Sequence, residues 1–238
     1  MNKLQNEIKK LETLNDYCLK FENFGNEDDI RSVTNHYICQ TIQNFIFAIK
    51  LSFNLLDINY CKKNISDQIQ TEDLEIAHSN FIVYSKEAFF INFSIVVENH
   101  FRQIAMHYEN ETNKINVTPI KETFNNLFTK NKCPKFNNLL NEGELKTYYF
   151  FLSLRNTMHN IGIHTWEDFS IEFNNNSNSI LSFDIVSLNL KKNDFNNISF
   201  FELVFIIEQV YLLVNKTNSK IENSEFIKHR LVDAGFNE

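Results

Sequence analysis

From Ile30 to about Ile58, apolar side chains return every three or four residues, at Val33, Tyr37, Ile38, Ile42, Phe45, Ile46, Ile49, Phe53 and Leu56. A second such run extends from about Asp73 to Tyr108, through Phe81, Ile82, Phe89, Phe90, Phe93, Val96, Val97, Phe101, Ile104 and Ala105. That spacing is the stripe of an amphipathic α-helix, and two stripes of this length commit the core to helix-on-helix packing. Helix breakers are scarce, with four glycines and two prolines in 238 residues, which argues against a β fold with its many tight turns. Hydrophobic residues make up 43%, enough to bury a sizeable core and to exclude wholesale disorder.

Other segments complete a single domain spanning residues 1–238. Leu4, Ile8, Leu11, Leu14 and Cys18 mark a helix to about residue 24, and Asp28 or Asp29 caps the helix that follows. Residues 59–72 read as a loop. Thr118-Pro119 suggests an N-cap followed by proline in the first helical position, opening a short helix to about Lys130. Another helix begins near Glu144 and stops at Gly162, which takes the left-handed cap conformation without steric cost. The alternating runs 166–173 and 180–185, around the polar turn 174–179, predict an inserted β-hairpin, with a further short strand and loop from Val186 to Asn197. Ser199 caps a last buried helix to about Asn215, and a short helix is expected around Phe226 to Val232. The expectation is a mainly α bundle of about five or six helices, with a hairpin insertion at about 166–190.

Net charge is −7, so there is no global field to attract a polyanion, and nucleic-acid binding would need a local basic pocket. Lysines 114, 121, 130, 132 and 135 form the one basic cluster, read as a solvated face or the flank of a phosphate site. Cys18, Cys39, Cys61 and Cys133 lack zinc spacing and read as reduced thiols. The N-terminus has no apolar signal core, and the run Phe200 to Val214 is too short and too charged to span a bilayer. A cytoplasmic protein without membrane association is expected. Phosphate-loop, dinucleotide and serine-hydrolase signatures do not occur.

Chemistry concentrates in Leu154-Arg155-Asn156-Thr157-Met158-His159-Asn160. Arg155 and His159 are four residues apart, one helical turn, so a permanent cation and a titratable imidazole share a face. Glu98 and Arg102 form an acid-first pair on the earlier helix; buried, they would need a polar contact with the Arg155 helix.

The Arg-Asn-x-x-His segment, with Val97-Glu98-Asn99-His100-Phe101-Arg102 on the earlier helix, resembles the HEPN superfamily of prokaryotic toxin–antitoxin, abortive-infection and CRISPR systems. The resemblance is architectural over roughly 30–215 and specific over about six residues; three residues separate Arg155 from His159, fewer than the family usually has. It implies a HEPN-like helical bundle and a metal-independent endoribonuclease without cofactor, working on single-stranded RNA as a homodimer and held by an antitoxin protein. Carried over, Arg155 binds the scissile phosphate, His159 is general acid or base, and Asn156 orients the pair. His164, eight residues beyond Arg155 in the intervening count, is the other candidate histidine. The alternatives are a non-catalytic dimeric module binding a protein or nucleotide, and a helical metalloenzyme using histidines such as His100 and His107.

Overall fold

A computed structural model describes residues 2–20, 24, 26–173, 179–181, 185–196 and 198–229. Asp29 opens the second helix as expected, its carboxylate accepting from the Arg31 amide at 2.9 Å. In order, the helices are α1 (Asn2–Leu19), α2 (Ile30–Ser52), α3 (Ile58–Asn64), α4 (Asp73–Tyr108), α5 (Ile120–Phe128), α6 (Glu142–His159) and α7 (Phe200–Asn218). Strands β1 (Phe169–Phe173) and β2 (Val186–Leu190) lie between α6 and α7. The mainly helical class with an inserted two-stranded sheet is thus the observed one.

The two long apolar stripes meet: α2 and α4 form the most extensive helix pair, with Phe45 stacked on Phe89 at 4.3 Å between centroids. A second aromatic layer joins α4, α5 and α6. Phe101 meets Phe124, Phe128 and Tyr148 edge-on, and Tyr148 stacks on Phe124 at 3.8 Å. All four rings are buried, and truncating Phe101 to alanine would cost about 3–5 kcal/mol. By length and composition α4 alone is apolar enough to cross a membrane among the described residues, and 39% of that window is buried in the bundle. The four cysteines are buried free thiols.

Several expectations change. There are seven α-helices among the described residues rather than five or six. α1 ends at Leu19, and α2 gives way at Ser52 to a 3-10 turn, Phe53–Leu56. Within the expected loop 59–72, Asp57 accepts from the amides of Asn59 and Tyr60 and so starts α3, which buries Cys61. Pro119, not Thr118, is the cap position of α5, and no side chain caps it. α6 begins at Glu142 because Asn141 and Glu144 form a capping box.

The hairpin is real, but its second strand is Val186–Leu190, antiparallel to β1 in the register Phe169 to Leu190. At the start of the expected strand 180–185 the amides of Ile180 and Leu181 are taken elsewhere. Glu208, buried on α7, accepts from the amides of Ile180 (2.5 Å) and Leu181 (2.8 Å) and from the Ser179 hydroxyl. The expected turn 174–178 and residues 182–184 lie outside the described residues.

The expected helix around Phe226 to Val232 is extended over 226–229; its remainder lies outside the described residues. Lys228 bridges Asp29, and the wholly buried Arg31 explains why. Its guanidinium pairs with both oxygens of Asp29 at 2.8 and 2.9 Å. It also donates to the carbonyls of Ile221, Glu222 and Glu225, while the amides of Ile227 and His229 donate to the Asp29 carboxylate and the Asp28 carbonyl at 3.3 and 2.9 Å and so are not free for a helix.

Candidate functional site

Five turns of α6 carry Tyr149, Leu152, Ser153, Arg155 and Asn156 to one wall of a cleft of about 660 Å³. The start of α5 (Pro119, Ile120, Lys121) forms a second wall, and the loop after α6 (His164, Trp166, Glu167, Asp168) with Phe169 forms the third. The volume lies in the range of pockets that enclose small organic ligands, about 300–1,000 Å³.

The loop after α6 is set by the helix stop. Thr157 and Met158 carbonyls accept from Gly162 and Ile161 amides at 2.9 and 3.2 Å, a Schellman closure. Gly162 is left-handed (φ 80°) as expected, but the residue that follows the Asn160 cap is Ile161, also left-handed (φ 56°) and β-branched, for which that region is strained. Gly162 is needed on a second count: a Cβ there would stand 2.5 Å from the Phe195 ring.

Arg155 is a quarter exposed and lies 3.2 Å from Glu98 Oε2, from Nη2. This supplies the polar contact between α4 and α6 that the Glu98 and Arg102 pair requires. Glu98 Oε1 meanwhile accepts from Arg102 Nε and Nη2, both at 3.0 Å, and Arg102 Nη1 reaches Asn116 Oδ1 and the Val117 carbonyl. Two arginines thus share one carboxylate, and one positive charge is left over. Arg155 Nε is buried without a hydrogen-bond partner among the described residues, so the guanidinium has donor capacity to spare.

Lys121 adds a second cation, its ammonium 5.1 Å from the Tyr149 ring centroid. The cleft's two carboxylates are matched from behind. Asp168 accepts from the Lys192 amide and pairs with Lys191 at 2.9 Å, and these hold its carboxyl below the usual range. Glu167 pairs with Lys192 at 2.5 Å. The cleft is therefore a positive spot on an acidic chain. Of the lysine cluster only Lys121 reaches it: Lys130 pairs with Glu122, Lys135 with Glu225, and Lys114 with Glu109, while Lys132 donates to the Lys114 carbonyl.

The candidate residues divide. Arg155 and Asn156 line the cleft. His159, the last residue of α6, is exposed one turn beyond Arg155 and is not among the lining residues. His164 lines the cleft but is 2% exposed, with Nδ1 2.9 Å from Thr157 Oγ1 and Nε2 3.0 Å from the Glu167 carbonyl. The carbonyl can only accept, so Nε2 carries a hydrogen and both ring nitrogens are engaged. His164 holds the loop in place. Lys121 is the one member of the sequence-marked lysine cluster that flanks the cleft, whereas Tyr149 and Trp166 were not singled out by sequence; a lone tryptophan just past a helix-stopping glycine was the available signal for the last.

Among the described residues, no three of His, Cys, Asp and Glu gather as a metal site, and His100 and His107 do not meet in one. Comparison of the chain with protein-family models, curated proteins and solved structures gives no match.

Proposed function

We propose that the Arg155 cleft holds a phosphodiester of single-stranded RNA, and that the protein is a HEPN-like, metal-independent endoribonuclease. In this reading it works as a cytoplasmic homodimer in a prokaryotic toxin–antitoxin, abortive-infection or related defence system, with an antitoxin protein as partner. The observation that carries the reading is the surplus positive charge of the cleft, two arginines around one carboxylate plus Lys121. The first turn of α5, which no side chain caps, adds amide dipoles of the sign that attracts phosphate.

The chemistry asks little more of the chain. The ribose 2′-hydroxyl attacks the adjacent phosphorus, its proton passes to a base, and the bond to the 5′-oxygen breaks as that oxygen gains a proton. Arg155 stabilises the charge gathering on the phosphoryl oxygens, and Asn156 orients it. His159, exposed at the end of α6, exchanges the protons. With single-stranded RNA in EDTA, the wild type cleaves, while Arg155→Ala and His159→Ala each lose about a hundredfold or more. Equal activity in all three removes the assignment.

One observation favours a second reading, a non-catalytic dimeric HEPN-like module binding a nucleotide or protein partner. His159 lies outside the cleft and His164 has no free ring nitrogen. This version gives RNA or nucleotide binding dependent on Arg155, stable dimers in sedimentation, and no cleavage.

A further inference from the structure

The Arg155 cleft has a side that phosphate chemistry leaves unused. Trp166 is the chain's single tryptophan, and it is 51% exposed at the cleft wall. A loose surface loop does not account for it, because the loop is pinned from three directions. The His164 ring is held by Thr157 and the Glu167 carbonyl. The His164 backbone is bonded to the loop after β2, accepting from the Asn193 amide at 2.6 Å and donating to the Asp194 carbonyl at 3.3 Å. The immobilised imidazole then meets the indole edge-on, with centroids 6.4 Å apart and planes at 73°. An indole presented in this way, beside Arg155 and Lys121, suits a flat π-system that carries a negative charge.

We infer that Trp166 is a stacking platform for one unpaired nucleobase whose phosphate lies on Arg155 and Lys121. The inference rests on the RNA reading above and narrows it. A base inside a duplex has both faces covered by its neighbours and cannot reach the indole, so the cleft selects unpaired nucleotides. Tyr149 is not an equivalent platform, since the Lys121 ammonium lies over its ring and its hydroxyl is bonded to Asn125 at 2.6 Å. Asn156 on the same wall offers an amide to the base edge, a group able to give and receive hydrogen bonds.

Because there is one tryptophan, emission excited selectively from indole reports on Trp166 alone. The probe is a 2′-fluoro oligoadenylate, which lacks the attacking hydroxyl and cannot be cleaved by that route. Its comparators are an abasic strand of equal length and the same strand in a duplex. Oligoadenylate is expected to quench Trp166 saturably, and the abasic strand and the duplex to bind about tenfold or more weakly. By anisotropy of a labelled strand, Trp166→Ala loses about tenfold while Trp166→Phe retains most of the affinity and supplies the folded control. Abasic strand bound as tightly as oligoadenylate, or unaltered binding by Trp166→Ala, overturns the stacking role; loss with Arg155→Ala then leaves the phosphate cleft standing. No binding of any strand removes the RNA reading itself. Emission that changes on dilution of the protein but not with oligonucleotide assigns Trp166 to a subunit contact and overturns the proposal.

Discussion

The Glu98 carboxylate on α4 stands 3.2 Å from the Arg155 guanidinium on α6, and the same carboxylate already holds Arg102 through its other oxygen. Glu98 is one-fifth exposed, so water screens the group only in part. Removing it brings two unmatched cations together at the wall of the cleft.

Glu98→Ala is accordingly expected to destabilise the protein by about 1–3 kcal/mol, by the cost of leaving partly buried charges unpaired. Adding Arg155→Ala should recover part of that loss. Urea unfolding of the two single variants and the double variant checks the coupling; strictly additive losses would show that the two residues do not interact.

Tyr148 is wholly buried, and its hydroxyl has no hydrogen-bond partner among the described residues. Burial pushes the phenol up, with the Glu98 charge adding to the effect, so it stays neutral throughout the working range. Tyr148→Phe keeps the ring stacked on Phe124 and removes the orphaned group. Its melting temperature should equal or exceed that of the wild type. A fall of several degrees would point to a partner for the hydroxyl.

Acid should weaken the fold through His100. The ring is fully buried, Nδ1 lies 3.0 Å from Thr34 Oγ1, Nε2 has no hydrogen-bond partner among the described residues, and burial pulls its pKa down to about 3. The nearby Asp29 opposes that shift, while Arg31 and His229 reinforce it. The folded protein thus refuses a proton that the unfolded chain accepts near pH 6.5. The stabilisation is complete above that value and drains away as pH falls toward about 3, by about 1.4 kcal/mol per pH unit. Denaturant midpoints measured from pH 7 to pH 4 should slope downward, and His100→Gln should flatten the slope.

The stop of α6 makes a pair of opposite predictions one residue apart. Gly162→Ala places a Cβ against Phe195 in a left-handed backbone and should cost about 1–2 kcal/mol or more. Ile161→Gly relieves a strained, 85% exposed residue and should stabilise by about 1 kcal/mol. Thermal melts of both variants decide; equal effects in one direction would contradict the cap geometry.

The long helices were legible because Ile38, Ile42, Phe45 and Ile49, or Phe90, Phe93, Val97 and Phe101, repeat over enough turns for the stripe to be unmistakable. A strand from Val186 was legible as well, but not that it, rather than 180–185, pairs with β1. Residues 180–185 alternate like a strand, but Glu208, 27 positions away, claims the Leu181 amide, and no local pattern announces that contact. The tail misled for the same reason, since Asp29 takes the Ile227 amide from 198 residues away and Asp28 takes that of His229. At the site, helical spacing correctly put Arg155 and His159 one turn apart. It carried no information on where the cleft ends, and the cleft ends before His159. Trp166 reaches it from the post-helix loop and became visible only with that loop in place, and of the five clustered lysines the sequence could not say that Lys121 is the one at the cleft.

The segment drawn across Arg31 bears on how the protein can be trimmed. A chain cut at Lys220 would keep the helices through α7, and its circular dichroism would look nearly unchanged. It would nevertheless lose the three carbonyls that receive a sealed guanidinium, admitting water to the base of α2. Sound secondary structure in such a shortened form would therefore be no warrant that the interior is intact.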